Sequence, residues 1–96
     1  MALHESLGAF LMKFSERLRG FPPGVSALAL RQILHEFRRV GATNRPSAQR
    51  FRAATGEVER TFLWLVRLEI VREVTPGRYY LDEEELAARN VQRMFE

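Results

Sequence analysis

The C-terminal third of the sequence contains two short β-rich runs, IVREVT at 70–75 and RYYL at 78–81, separated by Pro76–Gly77. Pro followed by Gly is a turn pair, and β-branched and aromatic runs on both sides of such a pair are typical of a β-hairpin. The longer patterned stretches have the spacing of a helix. The sequence therefore predicts a mainly α fold with one small β-hairpin.

Three stretches before the hairpin carry apolar residues at the spacing of an amphipathic helix. The first covers residues 3–18 and ends before the FPPG stretch at 21–24. The second begins near Ser26 and ends at Gly41, where a helix C-cap is expected, and the third covers residues 57–68. Their apolar positions are Leu3, Leu7, Phe10, Leu11, Phe14 and Leu18; Ala27, Leu30, Ile33, Leu34, Phe37 and Val40; and Val58, Phe62, Leu65 and Leu68.

A shorter helix is predicted between the second and third stretches. Residues 42–45 form a polar connection or a brief strand, and Pro46–Ser47 then opens a helix over SAQRFRAA. Phe51 and Ala54 are expected to face inward. Thr55–Gly56 breaks this helix before the next one begins.

A last helix is predicted over residues 83–96. Asp82 caps it, and Glu83–Glu85 place negative charge in the first turn, where the helix dipole favours it. The amphipathic helices at 1–20 and 83–96 lie outside the central part of the predicted fold. We expect them to bury their apolar stripes against each other or in a homodimer, because most soluble oligomers are twofold.

The chain has 96 residues and no cysteine. This length fits one domain, 1–96, and the absence of cysteine excludes disulfides, thiolate zinc sites and a cysteine nucleophile. No apolar run approaches the ~18–20 residues of a membrane span. The first residues lack a basic region and a signal cleavage site, so we expect a cytoplasmic location and no membrane partner.

The net charge of +3 is unevenly distributed along the chain. Residues 1–12 contain one Glu, and residues 13–52 contain nine Lys or Arg and two Glu. Residues 53–81 contain four Arg and four Glu, and residues 82–96 contain five acidic residues and two Arg. A concentration of basic residues can attract phosphate. A solvated helix face explains the same arginines, and both interpretations stay open.

Residues suited to catalysis or metal binding do not form a recognisable pattern. His4 and His35 lie on different predicted helices, and a helix N-terminus accounts for Glu83–Glu85. No nucleophile elbow, glycine-rich phosphate loop or dinucleotide fingerprint occurs. We therefore expect a protein that is not an enzyme and has no metal and no cofactor.

Three segments, PSAQRFRAATG, EVERTFLWLVRLEIVREV and TPGRYYL, together resemble the winged helix-turn-helix family. In that family a two-helix unit precedes a hairpin called the wing. The second unit helix typically ends in two leucines three residues apart, then glycine and two aliphatic residues that enter the wing. Leu65, Leu68, Ile70 and Val71 match this frame, and Glu69 occupies the glycine position.

This resemblance implies binding to double-stranded DNA by a transcriptional regulator. The helix at 57–68 would enter the major groove, and the hairpin tip would touch the backbone or the minor groove. Arg binds phosphate or guanine bidentately, and Ser and Gln add hydrogen bonds. The DNA-binding candidates carried over from the family are Arg45, Ser47, Gln49, Arg50, Arg60, Arg72 and Arg78.

A protein-interaction module without DNA binding is the alternative. Glu57 and Glu59 begin the helix that would face the negatively charged DNA backbone. Leu63 and Trp64 fall off its core stripe, and Arg67 follows Trp64 at a distance of three residues. Because Trp and Arg are enriched at interface hot spots, Leu63, Trp64 and Arg67 are the candidate protein-interface residues.

Glu69 gives a separate expectation about the backbone. If a residue in the left-handed region ends the helix there, a side chain at that position costs roughly 1 kcal/mol compared with glycine. The family frame therefore predicts a positive φ at Glu69.

Overall fold

A computed structural model describes residues 21–91 of the chain. The helix predicted over 3–18 and residues 92–96 lie outside the described residues. Within 21–91, three helices and one three-stranded antiparallel sheet form the fold. The prediction of helices combined with a small antiparallel hairpin is thus confirmed in its coarse form.

The first described helix, α1, spans Ala27–Arg39 and follows the prediction closely. The Ser26 hydroxyl caps it by accepting a hydrogen bond from the amide of Ala29 at 3.1 Å. At the other end Gly41 has a φ of +73°. The amides of Gly41 and Ala42 donate to the carbonyls of Arg38 and Phe37. This is a Schellman ending, which favours glycine. Val40 is exposed, contrary to its predicted place on the apolar face.

The prediction of a helix over SAQRFRAA is wrong. A 3₁₀ turn at Arg45–Ser47 replaces its start, and strand β1, Gln49–Arg50, follows after Ala48. Asn44 and Ser47 form a capping box, in which the Ser47 amide donates to Asn44 Oδ1 at 3.1 Å. The 3₁₀ helix therefore ends after one turn. Ala54 is exposed rather than inward-facing.

Two physical reasons explain this error. A helix of eight residues is marginal unless it buries a face. Within this segment only Ala48 is buried and Phe51 is half-buried, which is too little for a helix face. The backbone of Gln49 and Arg50 pairs with β3 instead. The strand also lies later than the one considered at 42–45, although the Ala42 carbonyl does accept a hydrogen bond from the Leu81 amide at 2.8 Å.

The second helix, α2, spans Gly56–Arg67, in agreement with the prediction over 57–68. The Thr55 hydroxyl caps it by accepting from the Val58 amide, so Thr55 and Gly56 begin this helix rather than end a preceding one. Glu69 has a φ of +64°, as the frame of the winged helix-turn-helix family implies. The amides of Glu69 and Ile70 donate to the carbonyls of Val66 and Leu65, which makes a Schellman ending without glycine.

The predicted hairpin is confirmed as strands β2, Val71–Thr75, and β3, Arg78–Leu81. Gly77 at the tip has a φ of +82°. The strand order is β1-β3-β2, so β3 lies in the centre and pairs with both neighbours in antiparallel fashion.

The last described helix, α3, spans Glu83–Ala88 and is capped by Asp82 as predicted. It does not continue to residue 96: Asn90 has a φ of +54°, which ends the helix before Val91. Leu86 and Val91 are buried within the chain's own core, so these two apolar residues are not available to a dimer interface.

The core lies between α1, α2 and the inner face of the sheet. Its largest fully buried side chains include Phe37, Leu30, Ile33, Leu65, Ile70 and Leu81. No helix within residues 21–91 is long and apolar enough to cross a membrane.

Candidate functional site

Arg50 and Arg78 lie opposite each other on two neighbouring strands of the sheet. They are register partners on β1 and β3, so their side chains leave the same face of the sheet. Both are exposed, and neither forms an ion pair with any carboxylate in the described part of the chain. Two like charges therefore stand directly opposite each other at the hairpin end of the sheet.

The neighbouring register pair, Gln49 and Tyr79, points to the other face. The Tyr79 ring packs edge-on against Phe62 of α2, with centroids 4.8 Å apart. Burial, together with the nearby Glu73 carboxylate, raises the pKa of the Tyr79 phenol. Because Tyr79 marks the core side of the sheet, Arg50 and Arg78 lie on the side away from α2.

Arg52 is a further exposed arginine close to Arg50 in the chain, although sequence reasoning left it off the candidate list. It is exposed, lies two residues after Arg50, and has no ion pair among the residues described here. The signal that could have found it is its place in the basic stretch 13–52. We call Arg50, Arg52 and Arg78 the arginine surface.

Arg45 is separate from the arginine surface. It lies on the 3₁₀ turn and lines an open cavity of about 230 Å³ together with Glu69, Arg72 and Glu73. Two carboxylates share this cavity with two guanidinium groups. Its charge is therefore balanced, in contrast to the pair formed by Arg50 and Arg78.

Ser47 and Arg72, both predicted to touch DNA, are engaged in contacts within the chain. The Ser47 hydroxyl donates to Asn44 Oδ1 at 2.6 Å and helps to close the 3₁₀ turn. Arg72 Nε donates to Asp82 Oδ2 at 2.9 Å, which ties β2 to the cap of α3. Arg72 Nη2 also lies 4.0 Å from Glu69 Oε2. Both side chains have a structural role in this arrangement.

Arg60 lies across the turn that precedes α1. Its Nε donates to the Gly24 carbonyl at 3.3 Å, and a Cβ on Gly24 would come within 2.6 Å of that nitrogen. The absence of a side chain at Gly24 thus lets Arg60 lie close to the backbone. Glu57 and Glu59 are exposed in the first turn of α2.

The predicted protein-interface residues line a second site, which we call the Trp64 groove. It is an open groove of about 220 Å³, bounded by α2 and by the turn before α1. Trp64 is half-buried and packs edge-on against Phe21, with centroids 5.6 Å apart, whereas Leu63 is 53% exposed. The lining residues are Pro22, Pro23, Val25, Arg60, Leu63, Trp64 and Arg67.

Metal ligands are not grouped in the part of the chain that the structure covers. Among residues 21–91, no three His, Asp or Glu side chains are placed to hold a metal ion, and His35 is exposed on α1.

Comparisons of the chain with protein-family models, curated proteins and solved structures found no match. The resemblance to winged helix-turn-helix proteins therefore remains a prediction.

Proposed function

We propose that this protein binds duplex DNA through the arginine surface and acts as a transcriptional regulator. The observation that carries the proposal is the opposition of Arg50 and Arg78 across β1 and β3. Like charges directly opposite each other in a sheet are destabilising. A phosphate placed between the two guanidinium groups would replace this repulsion with two charge-assisted contacts.

The layout of the chain supports the same proposal. A hairpin follows directly after α2, which is the arrangement expected of a winged helix, and the arginine surface lies at the tip end of that hairpin. In this scheme the 3₁₀ turn and β1 take the place of the first helix of the two-helix unit. On this basis we propose that the fold is a reduced winged helix.

The charges on α2 indicate which element would contact DNA. Its exposed first turn carries Glu57 and Glu59, which phosphate repels, and Arg60 lies against Gly24. The arginine surface, with Arg78 on the hairpin and Arg50 on β1, is therefore the main contact in our proposal, and α2 does not insert deeply into the major groove. Contacts would be mostly with the DNA backbone, so sequence preference would be modest.

The test is a salt-titrated binding measurement with a fluorescein-labelled mixed-sequence duplex, followed by anisotropy. Affinity should fall steeply between about 50 and 200 mM salt, and R50A and R78A should each reduce the log–log slope by about 0.9. R89A is the control because it removes one exposed arginine charge from the C-cap of α3, where Arg89 is paired with Glu85 at 3.0 Å. Absence of binding at low salt, or equal effects of R50A and R89A, would refute the proposal.

We also propose that the protein forms a homodimer, and this proposal does not depend on DNA binding. The N-terminal stripe of residues 1–20 lies outside the described residues, and Leu86 and Val91 are already buried in the core. Analytical ultracentrifugation of the chain at tens of micromolar measures the oligomeric state, and a single monomeric species would refute the homodimer.

A further inference from the structure

The Trp64 groove faces a different direction from the arginine surface. On α2, Trp64 is two residues from Phe62, which places it about 200° around the helix axis. Phe62 packs against Tyr79 on the inner face of the sheet. The groove is thus a second surface, and its occupant need not be the partner of the hairpin.

The groove combines an apolar floor with a positive charge on either side. Leu63 and Trp64 form the part on α2, and Pro22, Pro23 and Val25 form the opposite side. Arg60 and Arg67 flank Trp64 and are separated by about 10 Å along the helix. Arg67 is exposed and forms no ion pair with any residue of 21–91.

This combination selects one class of occupant. A single exposed leucine needs no explanation, but Leu63 is 53% exposed and adjoins a tryptophan between two arginines. Burial of tryptophan and arginine commonly supplies most of the binding energy of protein interfaces. Basic segments would be repelled by Arg60 and Arg67. A nucleic acid would gain little from the apolar floor and would meet Glu57 and Glu59 one turn away.

We infer that the Trp64 groove binds a segment of a partner protein that presents one or two apolar side chains flanked by carboxylates. The apolar side chains would cover Leu63 and Trp64, and the carboxylates would accept hydrogen bonds from Arg60 and Arg67. This inference does not depend on DNA binding by the arginine surface.

The sequence contains one tryptophan, so Trp64 is a built-in reporter of occupancy. The experiment selects peptides from a random phage-displayed library on the full-length chain and titrates synthetic copies while recording tryptophan emission. The expected peptides contain Leu, Phe or Trp beside Asp or Glu, and saturation should shift the Trp64 emission. R67E should weaken their binding about tenfold or more, whereas R67K should retain it.

A second variant, L63S, tests the apolar floor at an exposed position and should weaken the same peptides. Circular dichroism checks that R67E and L63S remain folded. The inference is overturned if the selected peptides lack acidic residues, if R67E binds them as tightly as the original chain, or if saturation leaves the Trp64 emission unchanged. DNA anisotropy is a separate readout, so failure here and failure of DNA binding are distinguishable.

Discussion

Phe51 stacks on Phe62 with ring centroids 4.4 Å apart and planes only 8° from parallel. Phe37 of α1 lies parallel to both rings, at 5.5 Å from Phe51 and 6.5 Å from Phe62. Three aromatic rings from three parts of the chain therefore form one stack. Phe51 is the only member on the extended segment after β1, and it holds that segment against the core.

Replacing Phe51 with alanine should lower the free energy of unfolding by about 2 kcal/mol. This is less than the roughly 3–5 kcal/mol of a fully buried phenylalanine, because Phe51 is half-buried. F51L is the matched control and should cost about 1 kcal/mol, because it keeps apolar contact and loses ring stacking. Urea denaturation measures both, and a neutral F51A would mean that the ring does not pack against Phe62.

Replacing Glu69 with glycine should raise the free energy of unfolding by a few tenths to about 1 kcal/mol. Glu69 has a φ of +64°, where a side chain is strained and glycine is not. E69A separates the backbone effect from the loss of the carboxylate, and it should not be stabilising. The melting temperatures of the three proteins decide the prediction, and a lower value for E69G would contradict it.

Replacing Arg50 with glutamate should stabilise the fold while it abolishes most DNA binding. The repulsive pair with Arg78 would become an attractive one, with a gain of about 0.2–1 kcal/mol. R50Q, which only removes the charge, should fall between the two. Thermal unfolding at low and high salt is the measurement. The gain should shrink as salt screens the charges, and a destabilised R50E at low salt would show that the two side chains do not interact.

The ion pair between Arg38 and Glu83 makes stability depend on pH. Arg38 donates from Nε and Nη2 to the Glu83 carboxylate at 2.8 and 2.7 Å, and this bonding holds the pKa of Glu83 below its usual range. The ionised form is thus favoured in the folded chain. The contribution of this ion pair to the free energy of unfolding is complete above the ordinary glutamate pKa of about 4.3. It is lost as the pH falls through the lower pKa of Glu83 in the folded chain.

The corresponding variant is E83Q, which should cost about 0.5 kcal/mol near neutral pH, because the pair is partly exposed. The cost should disappear in acid. E84Q is the control, because Glu84 lies in the same first turn of α3 and has no arginine partner among the described residues. An E83Q cost that stays the same at about pH 7 and about pH 3 would contradict the assignment.

Local chemistry was enough to predict most ends and turns of this fold. Ser26, Gly41 and Asp82 act on backbone groups a few residues away, so their roles follow from sequence order alone. The same holds for the hairpin turn at Pro76–Gly77, whereas the positive φ of Glu69 was expected only from the resemblance to the winged helix-turn-helix family. These are positions where neighbouring residues decide the conformation.

The segment after Asn44 could not be predicted in this way. Helix propensities of Ala, Gln and Arg differ from those of other residues by fractions of a kcal/mol, and tertiary contacts override them. The contact that decides here is the pairing of Gln49 and Arg50 with β3, about 30 residues later in the chain. Arg50 and Arg78 were both candidates from the sequence, but their opposition depends on that register and could not be predicted without the strand.

Strand β1 lies at the edge of the sheet and is two residues long. Edge strands offer unpaired backbone groups to other chains and are a common start of aggregation, which short strands and charged side chains prevent. A second molecule approaching this edge would bring its own Arg50 and Arg78 toward the same two residues. The repulsion between Arg50 and Arg78 within one molecule thus also opposes association between molecules. Variants that remove it should fold more stably but aggregate more readily through their sheet edges.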